Sequence, residues 1–334
     1  MGSYDTDVGA YAPLQFVGST FRQGQIREGG FCVNGFDNAG FIIGTSSSMF
    51  NSPFLTIRDQ DDKGWLKSYI GERLEAIGQD NRDVAWWPNP FRDYGNTLSK
   101  SEDILTFFDG GMVANVPLHP LLWKERNVDV IITVDSSANI NNWPNGTAMV
   151  ATYQRSLSKQ GDVKAANPFP RIPSPNTFVN KGLNSRPTFF GCPSEYVADV
   201  DVEDGTPLIV YLPHAPYSYM SNVSTYTMSY TNDMRDAVIA NGRNVVTRGR
   251  GKMDDKWPQC LACAILLRAM QRRGIEFPKQ CDNCFKSHCW DGQVDDRTPE
   301  RDYEPTIKLS GAWRIHWREG LILVLVSWMS FFLL

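Results

Sequence analysis

The sequence lacks an excess of positive charge and an amino-terminal segment of the kind that directs secretion. Its 334 residues include 33 Lys and Arg against 37 Asp and Glu, which gives a net charge of -4. This balance provides no basic field to attract nucleic acid or an anionic membrane, so we expect no nucleic-acid partner. The opening stretch MGSYDTDVGAYAPLQF has no basic segment followed by an apolar core, so it does not have the pattern of a signal peptide.

The sequence also lacks the commonest signature of a serine hydrolase. It contains no G-x-S-x-G nucleophile elbow, and the serine-rich stretch Gly44–Ser48 has no second glycine. Histidine is scarce, and its four positions are scattered along the chain: His119, His214, His288 and His316. A Ser-His-Asp triad is therefore not predicted.

Cysteine is present in an odd number, and all seven residues are candidates for disulfide bonds: Cys32, Cys192, Cys260, Cys263, Cys281, Cys284 and Cys289. Two C-x2-C pairs within this set also match the spacing of a structural zinc site. The first pair, however, falls at the start of an apolar helical segment rather than on a tight knuckle. We favour disulfides, keep zinc as the alternative, and expect one cysteine to be left over; the pairing itself is not readable.

The carboxyl end carries a three-part pattern. The small residues Ser310, Gly311 and Ala312 are followed by a polar-leaning spacer and then by the apolar tail Leu321–Leu334. The tail is shorter than the roughly 20 residues of a spanning helix. The pattern indicates a glycosylphosphatidylinositol (GPI) anchor signal, with residues 311–334 cleaved and Ser310 as the attachment candidate. A short tail anchor and a buried terminal helix are the alternatives.

Two glycosylation sequons agree with a cell-surface or secreted protein. They are Asn145-Gly146-Thr147 and Asn222-Val223-Ser224, neither with proline in the middle. The acidic segment 293–310, which contains Thr and Pro, is interpreted as a stalk between the folded part and the anchor. Such an ectodomain has to enter the secretory route, so we expect the natural amino terminus to lie upstream of Met1.

Three apolar runs, bounded by polar residues, glycine or proline, are predicted to form β-strands. They are Asp103–Asp109, Val128–Asp135 and Pro207–Pro213. Because they are apolar on both faces, we expect interior strands of a sheet that is covered by helices, which favours an α/β fold. Helices are predicted from about Asn38, over Asn232–Gly242 and over Leu261–Arg273.

Asp109 is the candidate catalytic residue. Its sequence context, TFFDGG, places a carboxylate directly after an apolar strand and before two glycines. Asp-Gly is an ordinary turn, but the end of a strand in an α/β sheet is also where catalytic carboxylates lie. A partly buried carboxylate beside a serine can accept the serine proton without a histidine.

Many blocks of the sequence, in order, resemble the carboxyl-terminal half of the fungal lysophospholipases, also called phospholipase B. The resemblance covers about residues 1–292, and its blocks include CVNGFDNAGFIIGTSSSMFN, FFDGG, NVPLHPLL, VDVIITVDSSA, NWPNGTAMVATYQRSL, NTFVNKGLNSRPTFFGC, APYSYMSNVSTYTMSY and CDNCFKSHCWDG. This family is related to the catalytic domain of cytosolic phospholipase A2 and, more distantly, to patatin.

The resemblance implies an α/β catalytic domain of the patatin and cytosolic phospholipase A2 type, of which residues 1–292 form the carboxyl-terminal part of the sheet and its covering helices. It implies a carboxylic ester hydrolase that acts on lysophospholipids or phospholipids at the cell surface, without a metal or other cofactor. The family uses a serine-aspartate dyad, and Asp109 matches its aspartate. The family's G-x-S-G-G serine is absent from this sequence, so the alternative is a non-catalytic, GPI-anchored cell-wall glycoprotein.

Overall fold

The computed structural model describes residues 2–3, 10–36, 85–95, 100–107, 111, 114–157, 166–197, 202–224, 227 and 229–309. The chain divides into two compact units. Unit 1 comprises Met1–Asn127 and Ala151–Asn167, and unit 2 comprises Val128–Val150 and Pro168–Leu334. The helix predicted from about Asn38 lies outside the described residues.

The described residues of unit 1 form three pairs of antiparallel strands: β1 (Gly2–Ser3) with β2 (Ala10–Tyr11), β3 (Phe21–Arg22) with β4 (Gln25–Ile26), and β5 (Ala85–Pro88) with β6 (Ile104–Phe107). Strand β6 confirms a strand in the predicted stretch Asp103–Asp109. Among the described strands it pairs with β5 alone, and Ile104 is 52% exposed. The expectation of a buried interior strand is therefore wrong at Ile104, where the two strands of the described pair leave the side chain exposed.

Unit 2 is built on a three-stranded mixed sheet. Its strands are β7 (Val130–Asp135), β8 (Thr188–Phe190) and β9 (Leu208–Pro213), in the order β7-β9-β8. Strand β9 pairs in parallel with β7, in a register that runs from Val130 opposite Leu208 to Asp135 opposite Pro213, and antiparallel with β8. The predictions of strands at 128–135 and 207–213 are confirmed, whereas β8 is too short to have been predicted. The expectation of an interior strand is confirmed for β9 but wrong for β7, which lies at an edge of the described sheet with Ile132 and Val134 exposed.

The described residues form five α-helices: α1 (Thr147–Ser156), α2 (Pro175–Asn180), α3 (Asn232–Val246), α4 (Trp257–Arg272) and α5 (Lys279–His288). Helices α2 to α5 belong to unit 2, whereas α1 begins in unit 2 and ends in unit 1. Helix α3 begins after the N-cap Thr231, whose side chain accepts a hydrogen bond from the Met234 amide. Helices α3 and α4 confirm the two predicted helices of this region, although each is about a turn longer than predicted. The resulting architecture mixes helices and sheets.

Strand β9 is the centre of unit 2, and all six of its residues are buried. Leu208, Val210 and Leu212 lie in the main hydrophobic cluster with residues of α4 and α5, among them Trp257 and Phe285. On the opposite face the Tyr211 ring meets rings that belong to α2 and β8 (Phe178 and Phe190, centroids 5.5 Å and 6.2 Å away). Both faces of β9 are thus covered, as expected of an interior strand.

Six of the seven cysteines form three disulfides: Cys192–Cys289, Cys260–Cys284 and Cys263–Cys281. Cys32 is exposed and free. Cys260 and Cys263 lie three residues apart on one face of α4, and their partners lie three residues apart on α5 in the reverse order. This arrangement is possible because the two helices run antiparallel.

The prediction of disulfides is confirmed, and the zinc alternative is wrong. Both C-x2-C pairs lie within helices. Each of their sulfur atoms is bonded to a cysteine sulfur of the neighbouring helix, so the four do not converge on one point where a zinc ion could bind. Within the described ranges, no group of three or more His, Cys, Asp or Glu side chains could hold a metal ion.

The segment that ends at Leu309 lies against the folded part of unit 2. Asp296 accepts hydrogen bonds from Ser174 and Thr177 at the start of α2. Farther along, Leu309 donates its amide to the Tyr217 carbonyl (2.7 Å) and packs on the small cluster that contains Val245. The role of residues 293–310 as a stalk stays a prediction.

None of the helices described here is both long and apolar enough to cross a membrane. The predicted anchor signal, residues 311–334, and the attachment candidate Ser310 lie outside the described residues.

We predict that the disulfide between Cys192 and Cys289 is a major source of stability. It joins the end of β8 to the residue after α5 across a sequence separation of 97 residues. Replacing both cysteines with serine should lower the free energy of unfolding by about 2–5 kcal/mol, measured by urea denaturation. Cys32→Ser is the matched control and should leave stability unchanged; equal stability of the two variants would contradict the prediction.

Candidate active site

The candidate base Asp109 follows the last residue of β6, Phe107, by two positions and lies outside the described residues. The described residues do contain another concentration of polar side chains, in unit 2, at the carboxyl ends of the parallel strands β7 and β9. Sites in α/β proteins commonly lie at this edge of the sheet.

Asp135, the last residue of β7, is completely buried. One carboxylate oxygen accepts hydrogen bonds from the amide (2.9 Å) and the hydroxyl (2.6 Å) of Ser137, and the other accepts one from the Tyr211 hydroxyl (2.9 Å). Burial, and then the neighbouring Asp135 carboxylate, raise the pKa of Tyr211 well above its usual value, so the phenol stays protonated and remains a donor. Three hydrogen-bond donors thus offset the free-energy cost of burying the Asp135 carboxylate.

A serine-histidine pair lies just beyond the end of β9. The Oγ of Ser221 is 2.6 Å from Nε2 of His214, whose ring stacks on Trp143 with centroids 5.5 Å apart. Burial lowers the pKa of His214. The Ser221 carbonyl and the charge of Asp135 raise this pKa, but they offset the effect of burial only in part. A neutral imidazole can accept the serine proton, so this pair has the geometry of a nucleophile and its base.

The rest of the arrangement argues for a structural role of this pair. Ser221 is only 5% exposed, and its Oγ also accepts a hydrogen bond from Asn241 Nδ2 (2.8 Å). The carboxylate of Asp135 accepts hydrogen bonds from Ser137 and Tyr211. The hydrogen bond between His214 and Asp135 is a backbone one, from the His214 amide to the Asp135 carbonyl (2.7 Å). Buried polar networks of this kind fix the conformation of a core.

Asn241 of α3 is the centre of this network. Its Oδ1 accepts hydrogen bonds from three successive amides, those of Tyr217, Ser218 and Tyr219, at 2.8, 2.8 and 3.3 Å. Its Nδ2 donates to the Ala215 carbonyl (2.9 Å) as well as to Ser221. A single amide side chain therefore holds the chain that leaves β9.

Most of this network could not be predicted from the sequence. Asn241 and Ser221 carry no motif, and they come together only because α3 packs against the segment that follows β9. Asp135 and His214 did offer a signal, since each stands at the end of an apolar strand, and the carboxyl ends of parallel strands meet at one edge of a sheet.

Both sequon asparagines are half-buried. Asn145 accepts hydrogen bonds from the amide (3.1 Å) and hydroxyl (2.6 Å) of Thr147, at the start of α1. Between them, Gly146 has φ +83°, and a Cβ there would lie 2.6 Å from the Phe178 ring, so this sequon has a fixed conformation. Asn222 donates from its amide nitrogen to the Asn141 carbonyl at 3.1 Å.

Comparison with known proteins gives consistent matches. The family model described as "Lysophospholipase catalytic domain" matches residues 1–295. Lysophospholipase 2 of Aspergillus fumigatus is 48% identical over 312 residues, which cover 92% of this chain and 52% of that protein. Lysophospholipase 3 of the same species is also 48% identical (92% and 49% covered), and a lysophospholipase of Penicillium chrysogenum is 42% identical (92% and 50%). The chain thus spans about half the length of these relatives.

We predict that Asn241 is essential for the stability of unit 2. Asn241→Ala should lower the free energy of unfolding by about 2–4 kcal/mol, because it leaves the buried Tyr217 amide and two partly buried amides without their acceptor. Asn244→Ala is a matched control one turn farther along α3, where the side chain donates a single hydrogen bond to Ser218 (2.9 Å). It should cost less than about 1 kcal/mol in the same urea titration; equal losses would contradict the central role of Asn241.

Proposed function

Because the chain belongs to the lysophospholipase family, we propose that it forms the part of a lysophospholipase that carries the catalytic aspartate. The match of residues 1–295 to the catalytic-domain model is the observation on which this proposal rests. The matched region contains Asp109 in its FFDGG context. The substrate is an acyl ester of a lysophospholipid or phospholipid.

The reaction proceeds through a serine supplied by a segment that is not among the 334 residues of this sequence. The Asp109 carboxylate accepts the serine proton as the hydroxyl oxygen attacks the ester carbonyl. The tetrahedral intermediate expels the glycerol oxygen, which takes up that proton and leaves an acyl-serine. Water then hydrolyses the acyl-serine, again with Asp109 as base, and releases the fatty acid.

Residues 1–292 form the carboxyl-terminal part of an α/β domain of the patatin and cytosolic phospholipase A2 type. Three features support this assignment: the parallel pairing of β7 with β9, the fully buried β9, and the covering of both faces of that strand. A parallel sheet with elements on both faces is the arrangement expected of an α/β domain.

The protein acts at the cell surface, where a GPI anchor on Ser310 attaches it to the membrane. The carboxyl-terminal pattern and the two sequons at Asn145 and Asn222 favour this location. The three disulfides agree with it, because such bonds form and persist on the secretory route rather than in the cytosol.

A second candidate function is a non-catalytic, GPI-anchored cell-wall glycoprotein of the same family. The observation that favours it is the absence of G-x-S-G-G from the 334 residues. In-frame coding sequence with that motif directly upstream of the gene would rule it out.

We predict that Asp109→Asn, in a full-length protein that carries the serine, lowers kcat/KM for lysophospholipid hydrolysis at least about 100-fold, because the amide cannot accept the proton. The thermal unfolding temperature should not change. Asp103→Asn is the matched control, since Asp103 directly precedes β6, is exposed and pairs with Arg92 (3.1 Å). Retained turnover in Asp109→Asn would overturn the assignment of the base.

For the anchor, we predict that phosphatidylinositol-specific phospholipase releases the protein from intact cells into the medium. The lipase removes the diacylglycerol on which a GPI-anchored protein depends for membrane attachment. Ser310→Trp, together with bulky residues at 311 and 312, should abolish release by preventing attachment. A membrane-bound pool that resists the lipase and retains an epitope placed at Leu334 would contradict the prediction.

A further inference from the structure

Among the described residues, one face of the unit 2 sheet is apolar and only partly covered. In β7, the side chains of Ile131, Thr133 and Asp135 are buried, whereas those of Ile132 and Val134 are 47% and 50% exposed. Strands that pair in parallel are normally covered on both faces. Strand β9, its direct neighbour, follows this rule at all six positions.

The register of the sheet identifies which face is open. Ile132 is opposite Val210, and Val134 is opposite Leu212, and both of these β9 residues lie in the cluster beneath α4 and α5. Side chains opposite each other in a ladder lie on the same face of the sheet. The exposed face of β7 is therefore the continuation of the face that α4 covers on β9.

Helix α4 extends this surface by one more residue. Arg272, at its end, donates to the carboxylate of Asp129 (2.7 Å), directly before β7, so this flank of the helix faces β7. Ile265 stands seven residues, or two turns, before Arg272 and therefore lies on the same flank. It is 44% exposed. We call Ile132, Val134 and Ile265 the open face.

Among the described strands, β7 also has no neighbour on the side away from β9. An edge of this kind presents unpaired amides and carbonyls to an incoming strand. Natural edge strands are usually protected by charges or proline. Strand β7, with the sequence VIITVD, carries no charge before its last residue and no proline.

We propose that the open face and the free edge of β7 form the docking surface for the part of the lysophospholipase domain that is absent from this chain. That part supplies a strand beside β7 and a helix over Ile132, Val134 and Ile265. The matched lengths support this occupant. The alignments cover 92% of this chain but only 52% and 49% of the two Aspergillus fumigatus relatives, so about half of each relative has no counterpart in it. This docking surface depends on the proposed function only in one respect, namely that the chain belongs to the lysophospholipase family.

The test is reconstitution from two polypeptides. This chain is co-expressed in a secretory host with the region of Aspergillus fumigatus Lysophospholipase 2 that has no counterpart in it. We expect a one-to-one complex by size-exclusion chromatography with light scattering. Hydrogen exchange should show at least about tenfold slower exchange for amides of Val130–Asp135 in the complex than in this chain alone.

Two variants make the test specific. Ile132→Lys should weaken the complex at least about tenfold, because it places a charge in the contact. Lysine is tolerated on an edge strand, so the isolated chain should keep its unfolding temperature. Ile239→Lys is the matched control: the same substitution at a 64% exposed isoleucine of α3, with no effect on assembly expected.

Several outcomes would overturn the proposal. They are no complex at micromolar concentration, equal affinity of the Ile132→Lys and Ile239→Lys variants, unchanged exchange in β7, and a homodimer of this chain that Ile132→Lys dissociates. Hydrolysis is measured separately. A complex with protected β7 but no esterase activity supports the docking surface and rejects the proposed activity for this chain, whereas activity without protection does the reverse.

Discussion

The parallel pairing of β9 with β7 is the constraint on which the rest of unit 2 depends. A strand whose six residues are all buried needs neighbours on both edges and layers on both faces. Strands β7 and β8 provide the edges, the helices α4 and α5 provide one layer, and the Phe178 ring meets Tyr211 on the other face. The disulfides between α4 and α5, and the network around Asn241, then fix elements that already lie against this strand.

The parts of this arrangement that follow local rules could be predicted from the sequence. The runs at Val128 and Pro207 are apolar and β-branched, and α4 ends in basic residues and glycine, so those elements were identified. Strand β8 has three residues, too few for any periodicity to be visible. The burial of Ile104, at the start of β6, was predicted wrongly because an apolar run shows which strand can be buried, not which neighbours it has.

The cysteine pairing and the polar network could not be predicted from the sequence, because both depend on contacts between residues that are distant along the chain. Disulfides could be preferred over zinc from the apolar helix around Cys260, but the pairing required the antiparallel packing of α4 and α5. The Asn241 network joins residues up to 26 positions apart through α3 and the segment after β9. Asp109 was identified through its family context, since Asp-Gly alone is typical of any turn.

The way residues 295–309 lie along unit 2 has a consequence for how the protein would work at a surface. Lys308 donates to the Ser185 carbonyl and lies 5.0 Å from the centre of the Tyr217 ring, and Leu309 is hydrogen-bonded to Tyr217. If the proposed GPI anchor is attached at Ser310, no free polypeptide would separate unit 2 from the glycan of the anchor. The reach of unit 2 from the membrane would then be set by the length of the glycan rather than by a flexible stretch of the protein.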